Sequence, residues 1–271
     1  MKDTLKFPEG RRQEQLMAFD RLLTIMDELR EQCPWDRKQT IESLRHLTIE
    51  ETYELSDAIL DNDMQEIKKE LGDILLHIVF YSRIASESNT FDVADVLHGI
   101  CDKLISRHPH IYSDTKAETE EEVKRNWEKL KLKEGNKSTL SGVPASLPAL
   151  VKAMRIQEKA RGAGFDWDDK SQVWTKVEEE LGEFKSHINI EEGVIENHQE
   201  AEAEFGDLIF SLVNYARFAG INPETALERT NNKFISRFQF MDKAAIADGK
   251  ILTNLSLEEM DIYWNKAKTE L

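Results

Sequence analysis

A run of seven residues that returns far along the chain constrains the fold more than any other feature. Glu70-Leu71-Gly72-Asp73-Ile74-Leu75-Leu76 comes back as Glu204-Phe205-Gly206-Asp207-Leu208-Ile209-Phe210, with an identical or similar residue at every place. Three more landmarks recur in the same order. Trp35-Asp36 pairs with Trp167-Asp168, Glu50-Glu51-Thr52-Tyr53-Glu54 with Glu179-Glu180-Leu181-Gly182-Glu183, and Lys103 and Arg107 with Lys233 and Arg237. The copies stand 129 to 134 residues apart, a whole domain rather than a solenoid unit of roughly 20–45 residues. The 271 residues are therefore expected to form two copies of one module, each long enough to bury its own core. Gly135-Asn136-Lys137-Ser138-Thr139-Leu140-Ser141-Gly142-Val143-Pro144 is rich in turn formers and breakers. This places an N-terminal module at 1–134, a linker at 135–147 and a C-terminal module at 148–271.

Each copy reads as helix. From Gln15 to Gln32 the apolar residues Leu16, Phe19, Leu22, Leu23, Met26 and Leu29 keep the three-and-four spacing of one helix face, and Pro34 ends the run. Further helices are expected from about Ile41 to Leu60 and from about Met64 to Ser86. In the second copy helices should begin near Leu150, Gln172 and His198, and Ile221-Asn222-Pro223-Glu224 has the form of a cap with proline in the first turn. No stretch alternates like a strand, so the expected class is all-α, with two tandem helical modules.

Charge and cysteine usage narrow the function. A formal net charge of -16 repels phosphate backbones and anionic lipid, which argues against nucleic acid or a membrane surface as partner. A chain this acidic that handles phosphates must bring cations with it. The two cysteines, Cys33 and Cys101, form neither a metal knuckle nor a disulfide framework, and no run is long enough for a signal peptide or a membrane span. A reducing, cytoplasmic location is expected.

The carboxylates carry the chemistry. Residues three apart share a helix face, so Glu180 projects with Glu183, and Glu204 with Asp207. Acidic pairs usually mark a solvated face, but Glu204 and Asp207 sit among Phe205, Leu208, Ile209, Phe210, Leu212 and Val213, the pattern of a buried helix. Buried carboxylates are costly unless paired, and Glu70 and Asp73 repeat the conflict in the first copy. A bound cation resolves both. No cysteine or histidine lies at ligand spacing beside Glu180, Glu183, Glu204 or Asp207, so the ligands are hard oxygens suited to Mg²⁺, with Mn²⁺ possible, and unsuited to Zn²⁺. A di-iron bundle would need Glu-x-x-His on two helices. His77 follows Asp73 by one turn, but its counterpart is Ser211, which marks it as a core or supporting histidine. Lys233 and Arg237, four apart on one face, supply cations of the kind that bind phosphates.

These residues, in this order and spacing, resemble the MazG-type nucleoside triphosphate pyrophosphohydrolases over essentially the whole chain. The signature is Glu-Glu-x-x-Glu, then Glu-x-x-Asp, then a lysine with an arginine four residues on, and both copies carry it. The resemblance implies an all-α, Mg²⁺-dependent enzyme that splits nucleoside triphosphates into monophosphate and pyrophosphate with broad base tolerance. It also implies a homodimer whose helices complete each other's four-helix bundles, and a part in nucleotide-pool housekeeping. By the match, Glu180, Glu183, Glu204 and Asp207 are the metal ligands. Glu179 and Glu180 are the catalytic carboxylates, Glu179 orienting water. Lys176, Lys233 and Arg237 hold phosphates, and Trp264 contacts the nucleotide.

In relatives of this double architecture catalysis is associated with the C-terminal copy. The residues agree, because Asn231 and Asn232 become Cys101 and Asp102 in the first copy, and Lys176 becomes Leu47. Glu51, Glu54, Glu70, Asp73, Lys103 and Arg107 then form a secondary, N-terminal site that has lost positive charge. Two features stand apart. The stretch between the acidic pairs is five residues longer in the second copy and strongly acidic, and Trp264 has a counterpart in Trp127, so terminal packing accounts for it equally well. Competing readings are a helical scaffold with structural metal sites, and a phosphohydrolase narrowed to deoxyuridine nucleotides or a guanosine alarmone. Lys176, Lys233 and Arg237 discriminate, since a scaffold needs no phosphate-binding cations beside its acidic cluster.

Overall fold

Caps and breakers cut the chain into helices where the repeat expects them. The computed structural model describes residues 10–113, 138–167, 169–189, 194–195 and 197–270, with isolated positions between 119 and 130. The chain divides into two compact units, Met1–Val123 and Lys124–Leu271. Residues 135–137 of the expected linker, and Asp168, lie outside the described residues. The rest of that linker is tied to the helix that follows it, since Lys152 Nζ donates to the Ala145 carbonyl (2.7 Å) and Lys159 Nζ to that of Thr139 (3.1 Å).

In the first unit, α1 (Arg11–Gln32) stops at Cys33, which is extended as a residue before proline prefers. α2 (Ile41–Leu60) opens on a capping box between Thr40 and Ser43. Asn62, in the left-handed region at φ 55°, turns the chain sharply into α3 (Met64–Glu87), whose first amides are capped by Asp63. α4 (Val93–Arg107) has a second capping box, Asp92 with Asp95, and a single turn, α5 (Pro109–Tyr112), follows. α2 and α3 form the main hairpin, with α1 against α3. The core is Met26, Leu44, Val79 and Phe80, ringed by Phe19, Leu22, Leu23, Leu47, Leu76, Tyr81 and Ile84.

The second unit repeats the plan with α6 (Ala149–Gly162), α7 (Lys170–Ser186) and α8 (His198–Ala219), the last two paired as a hairpin. Gly220, at φ 72°, ends α8 in the left-handed conformation that favours glycine. α9 (Pro223–Ala247) starts with proline behind an Asn222 cap, and it packs on α10 (Leu257–Glu270) through Met241, Ala245 and Tyr263, with Leu252 of the intervening turn in the same cluster. The acidic insertion holds one departure from an all-helical expectation. Ile188–Asn189 (β1) and Val194–Ile195 (β2) form a two-residue antiparallel ladder, too small to change the class.

The apolar sequences of α3 and α8 imply buried helices, but among the described residues both keep an open apolar side. Leu71, Leu75 and Ile78 on α3, and Phe205, Ile209, Phe210 and Leu212 on α8, remain exposed. A two-helix hairpin with one flanking helix buries only part of each circumference. Both cysteines are unpaired, and no described helix is long and apolar enough to cross a membrane.

Candidate active site

Helical spacing puts Glu180 and Glu183 one turn apart on α7, and the α7–α8 hairpin brings Glu204 to them. Carboxylate oxygens of Glu180, Glu183 and Glu204 all lie within 4.8 Å of one another. Asp207 falls outside that group. It lines a cavity of about 180 Å³ with Trp167, Val173, Lys176, Glu180, Phe210, Ser211 and Asn214.

Burial is distributed differently from the sequence argument, which placed Glu204 and Asp207 in the interior. Glu180 is the buried member, Glu204 is half-buried, and Glu183 and Asp207 are exposed. Asp207 reaches solvent at the cavity that it lines, whereas Glu180 faces the seam between the helices. The crowding has an electrostatic mark. Desolvation, followed by the charges of Glu180 and Glu204, holds the Glu183 carboxyl above the ordinary glutamate range. Lys176 answers part of this charge, its Nζ lying 2.6 Å from Glu180 and 2.8 Å from Glu179. Both partners push its ammonium well above the usual lysine range. Glu179 stays on the solvent side of this pair, half of its side chain exposed.

One ammonium against three clustered carboxylates, with Asp207 and Glu179 nearby, leaves negative charge to be neutralised. A divalent ion with oxygen ligands fits that donor set. The first unit fits it as well. Glu51, Glu70 and Asp73 present oxygens within 4.8 Å of one another, with Glu54 outside the group. Glu70 is completely buried, and its Oε2 has no hydrogen-bond partner, a costly state for a carboxylate oxygen. Glu51 and Glu54 are both held above the ordinary range, chiefly by desolvation and, next, by the charges of Asp73 and Glu70 respectively.

The expectation that the first copy had lost its local cation is corrected. Leu47 does replace Lys176, but Lys69 on α3 restores an ammonium, with Nζ 2.8 Å from Glu70 and 2.6 Å from Glu66. The equivalent of Lys69 in the second copy is Ala203. A lysine–glutamate pair is therefore kept while both of its members move from one helix of the hairpin to the other. A lysine next in sequence to the buried glutamate was the available signal. His77 is buried, with Nδ1 unpartnered, and its imidazole is held below the ordinary histidine range by desolvation, a core histidine as expected.

Arg237 and Trp264 are brought to each other, and neither they nor Lys233 line the cavity. The Arg237 guanidinium lies 5.8 Å from the Trp264 ring centroid, and Phe234 packs at 5.1 Å from the same ring. This follows from α9 pairing with α10. In the first unit Lys103 is exposed and Arg107 is buried at the end of α4. Asn214 and Trp167 line the cavity and were not foreseen. An asparagine within the apolar run Leu212-Val213-Asn214-Tyr215-Ala216, seven residues after Asp207 and so on the same face, was the signal for the first.

Fold and site together define a duplicated all-α protein whose helix hairpins carry carboxylate clusters suited to a divalent ion. Residues 39–112 match the MazG nucleotide pyrophosphohydrolase domain. The chain is 42% identical over 257 residues to the nucleoside triphosphate pyrophosphohydrolase/pyrophosphatase MazG of Thermotoga maritima, covering 93% of this chain and 96% of that protein. It is 40% identical over 259 residues to the nucleoside triphosphate pyrophosphohydrolase of Escherichia coli K12, covering 93% and 97%. A further relative is the uncharacterized protein YabN of Bacillus subtilis, 43% identical over 255 residues, which are 92% of this chain and 51% of that protein. The chain belongs to the MazG family.

Proposed function

We propose that the chain hydrolyses nucleoside triphosphates, with broad base tolerance, to nucleoside monophosphate and pyrophosphate in an Mg²⁺-dependent reaction carried by the C-terminal module. The observation that carries this is the convergence of Glu180, Glu183 and Glu204 beside Lys176 and a cavity that also includes Asp207. The names of the two full-length relatives support the same activity. A divalent ion at these carboxylates would polarise the phosphate oxygens and lower the pKa of a bound water.

The remaining work falls to the side chains. Glu180, Glu183, Glu204 and Asp207 hold the ion. Glu179, solvent-facing and next to Glu180, orients the attacking water and takes its proton. Lys176 turns from its glutamate partners towards the triphosphate, and Lys233 and Arg237 add charge along the departing pyrophosphate. Trp264, in contact with Arg237, steadies that guanidinium and borders the nucleotide. Since Lys233, Arg237 and Trp264 do not line the cavity, binding of the triphosphate must bring α9 and the α7–α8 hairpin to a common ligand.

A second copy of the chain is the proposed partner. The exposed apolar residues of α3 and α8 are of the kind a homodimer would bury by completing four-helix bundles. A cytoplasmic role in clearing unwanted nucleotides agrees with this chemistry. The test is to incubate the full chain with each nucleoside triphosphate and Mg²⁺ and to resolve the products by ³¹P NMR. Monophosphate with pyrophosphate is expected, while diphosphate with orthophosphate would contradict the proposed bond cleavage.

A further inference from the structure

The cavity beside the acidic cluster differs from its counterpart in the other module in one telling way: its equivalent there is filled. The lining residues Val173, Lys176, Phe210, Ser211 and Asn214 correspond to Leu44, Leu47, Leu76, His77 and Phe80. Leu44 and Phe80 belong to the buried core of the first unit, with Leu47 and Leu76 packed on them. The same two helices thus close over apolar side chains in one copy and leave about 180 Å³ open in the other. Substitution of Phe80 by the shorter, polar Asn214 accounts for much of the space.

Asn214 is nearly fully buried, at 4% exposure, and its amide is oriented by chemistry. Arg217 donates to its Oδ1 from Nε (3.2 Å) and from a terminal nitrogen (2.8 Å). A guanidinium can only donate, so the oxygen must face it and the amide nitrogen must point the other way. Asp166 fixes the arginine in turn, with contacts of 2.9 and 2.5 Å. Among the described residues Asn214 Nδ2 has no acceptor. That nitrogen is not sealed from solvent as the buried unpartnered atoms are, so it is free to donate to a ligand that enters the cavity.

The geometry points to the nucleobase of the substrate as that ligand. We infer that the cavity between α7 and α8 receives the base, with Trp167 and Phe210 against its ring and Asn214 Nδ2 donating to a ring carbonyl or ring nitrogen. This rests on the function proposed above. The space is small for a whole nucleotide, since sites for complete small molecules run to about 300–1,000 Å³, and it suits a single heterocycle. Asp207 and Asn214, seven residues apart on one helix, are separated by about 10 Å along its axis. Glu180 and Val173 make the matching span on α7. One end of the cavity is thus carboxylate and the other is amide and apolar, the order in which a nucleotide presents its metal-bound phosphates and its base. Asn214 and Trp167 are positioning and recognition residues that do no bond chemistry.

Binding, measured calorimetrically with Mg²⁺ present, tests the inference without relying on turnover. The probes are an α,β-methylene nucleoside triphosphate, which resists cleavage at that bond, and inorganic tripolyphosphate, which has no base. Asn214→Leu should weaken the nucleotide analogue about tenfold, as loss of a buried hydrogen bond does, and leave tripolyphosphate within about twofold. Trp167→Ala should do the same through lost stacking. Trp167 is 39% exposed, so this variant carries the test if Asn214→Leu does not fold. Equal weakening of both probes, or an unchanged nucleotide affinity in the folded variants, would overturn the inference. A wild-type chain that binds the analogue in this way but releases no pyrophosphate would instead contradict the proposed function alone.

Discussion

The two modules share a backbone plan and part company in what the hairpin between their acidic helices encloses. In the first, α2 and α3 close over Leu44, Leu47, Leu76 and Phe80, and an entirely buried Glu70 is paired by its sequence neighbour Lys69. In the second, α7 and α8 leave a cavity, and the buried Glu180 is paired by Lys176, one turn before it and on the cavity wall. Among the described residues an acidic framework with a compensating lysine is present in both, and in the second that lysine lines a cavity that a ligand can occupy. Duplication thus separates two demands that one site must otherwise meet together: holding a carboxylate cluster in a stable hairpin, and keeping room beside it for substrate.

The comparison is most exposed to removal of the carboxylates of the second module, in the cluster or beside it on the cavity wall. Glu180→Gln or Asp207→Ala should lower pyrophosphate release by at least about a hundredfold, the scale expected when metal-assisted charge stabilisation worth several kcal/mol is lost. Circular dichroism should report an intact helical fold. Changing Glu70 to Gln or Asp73 to Ala should leave steady-state turnover nearly unchanged, and an equal loss would show that the first module also catalyses. A smaller effect is expected from the basic pair on α9. Arg237→Ala should raise KM for a nucleoside triphosphate roughly tenfold or more, the range of one charge-assisted hydrogen bond, with Mn²⁺ affinity measured by calorimetry unaltered. Arg107→Ala should not change KM.

Stability sharpens the contrast further. Lys69→Met leaves Glu70 buried without its ammonium, a loss softened by the solvent exposure of Lys69. The melting temperature should fall by a few degrees, and saturating Mn²⁺ should recover it. The smallest effect concerns His77, held neutral by burial. Because its folded-state pKa lies below the ordinary value of about 6.5, the unfolded chain takes up the proton first. Stability present above that value is therefore lost as pH falls through the window beneath it. His77→Leu should flatten that slope in denaturant titrations between pH 7 and 5, and Ser211→Ala, at the equivalent place, should not alter it.

Much of this was legible in the residues because helices write their faces at fixed intervals. α2 runs from Ile41 to Leu60 as its caps and periodicity specify, and Glu180 and Glu183 meet Glu204 as the repeat led one to expect. Burial was less legible. The apolar neighbours of Asp207 imply a buried helix, but sequence alone does not reveal how much of it the neighbouring helices cover, and Phe205, Ile209 and Leu212 of α8 stay exposed. The lysine pairings were also hidden, since Lys69 holds Glu70 and Lys176 holds Glu180, lysines and glutamates that no alignment of the repeats would match. Cavities are the hardest to foresee. Asn214 becomes informative only when the place it occupies is seen to be Phe80 in the other copy.

The central claim is that carboxylates from α7 and α8 hold a divalent ion. Anomalous diffraction from crystals of the full chain grown with Mn²⁺ tests it most directly. The account predicts a manganese peak coordinated by Glu180, Glu183 and Glu204, with the Lys176 ammonium displaced from Glu180. A map with no manganese at these side chains, and with Lys176 still bridging Glu179 and Glu180 at saturating Mn²⁺, would contradict it.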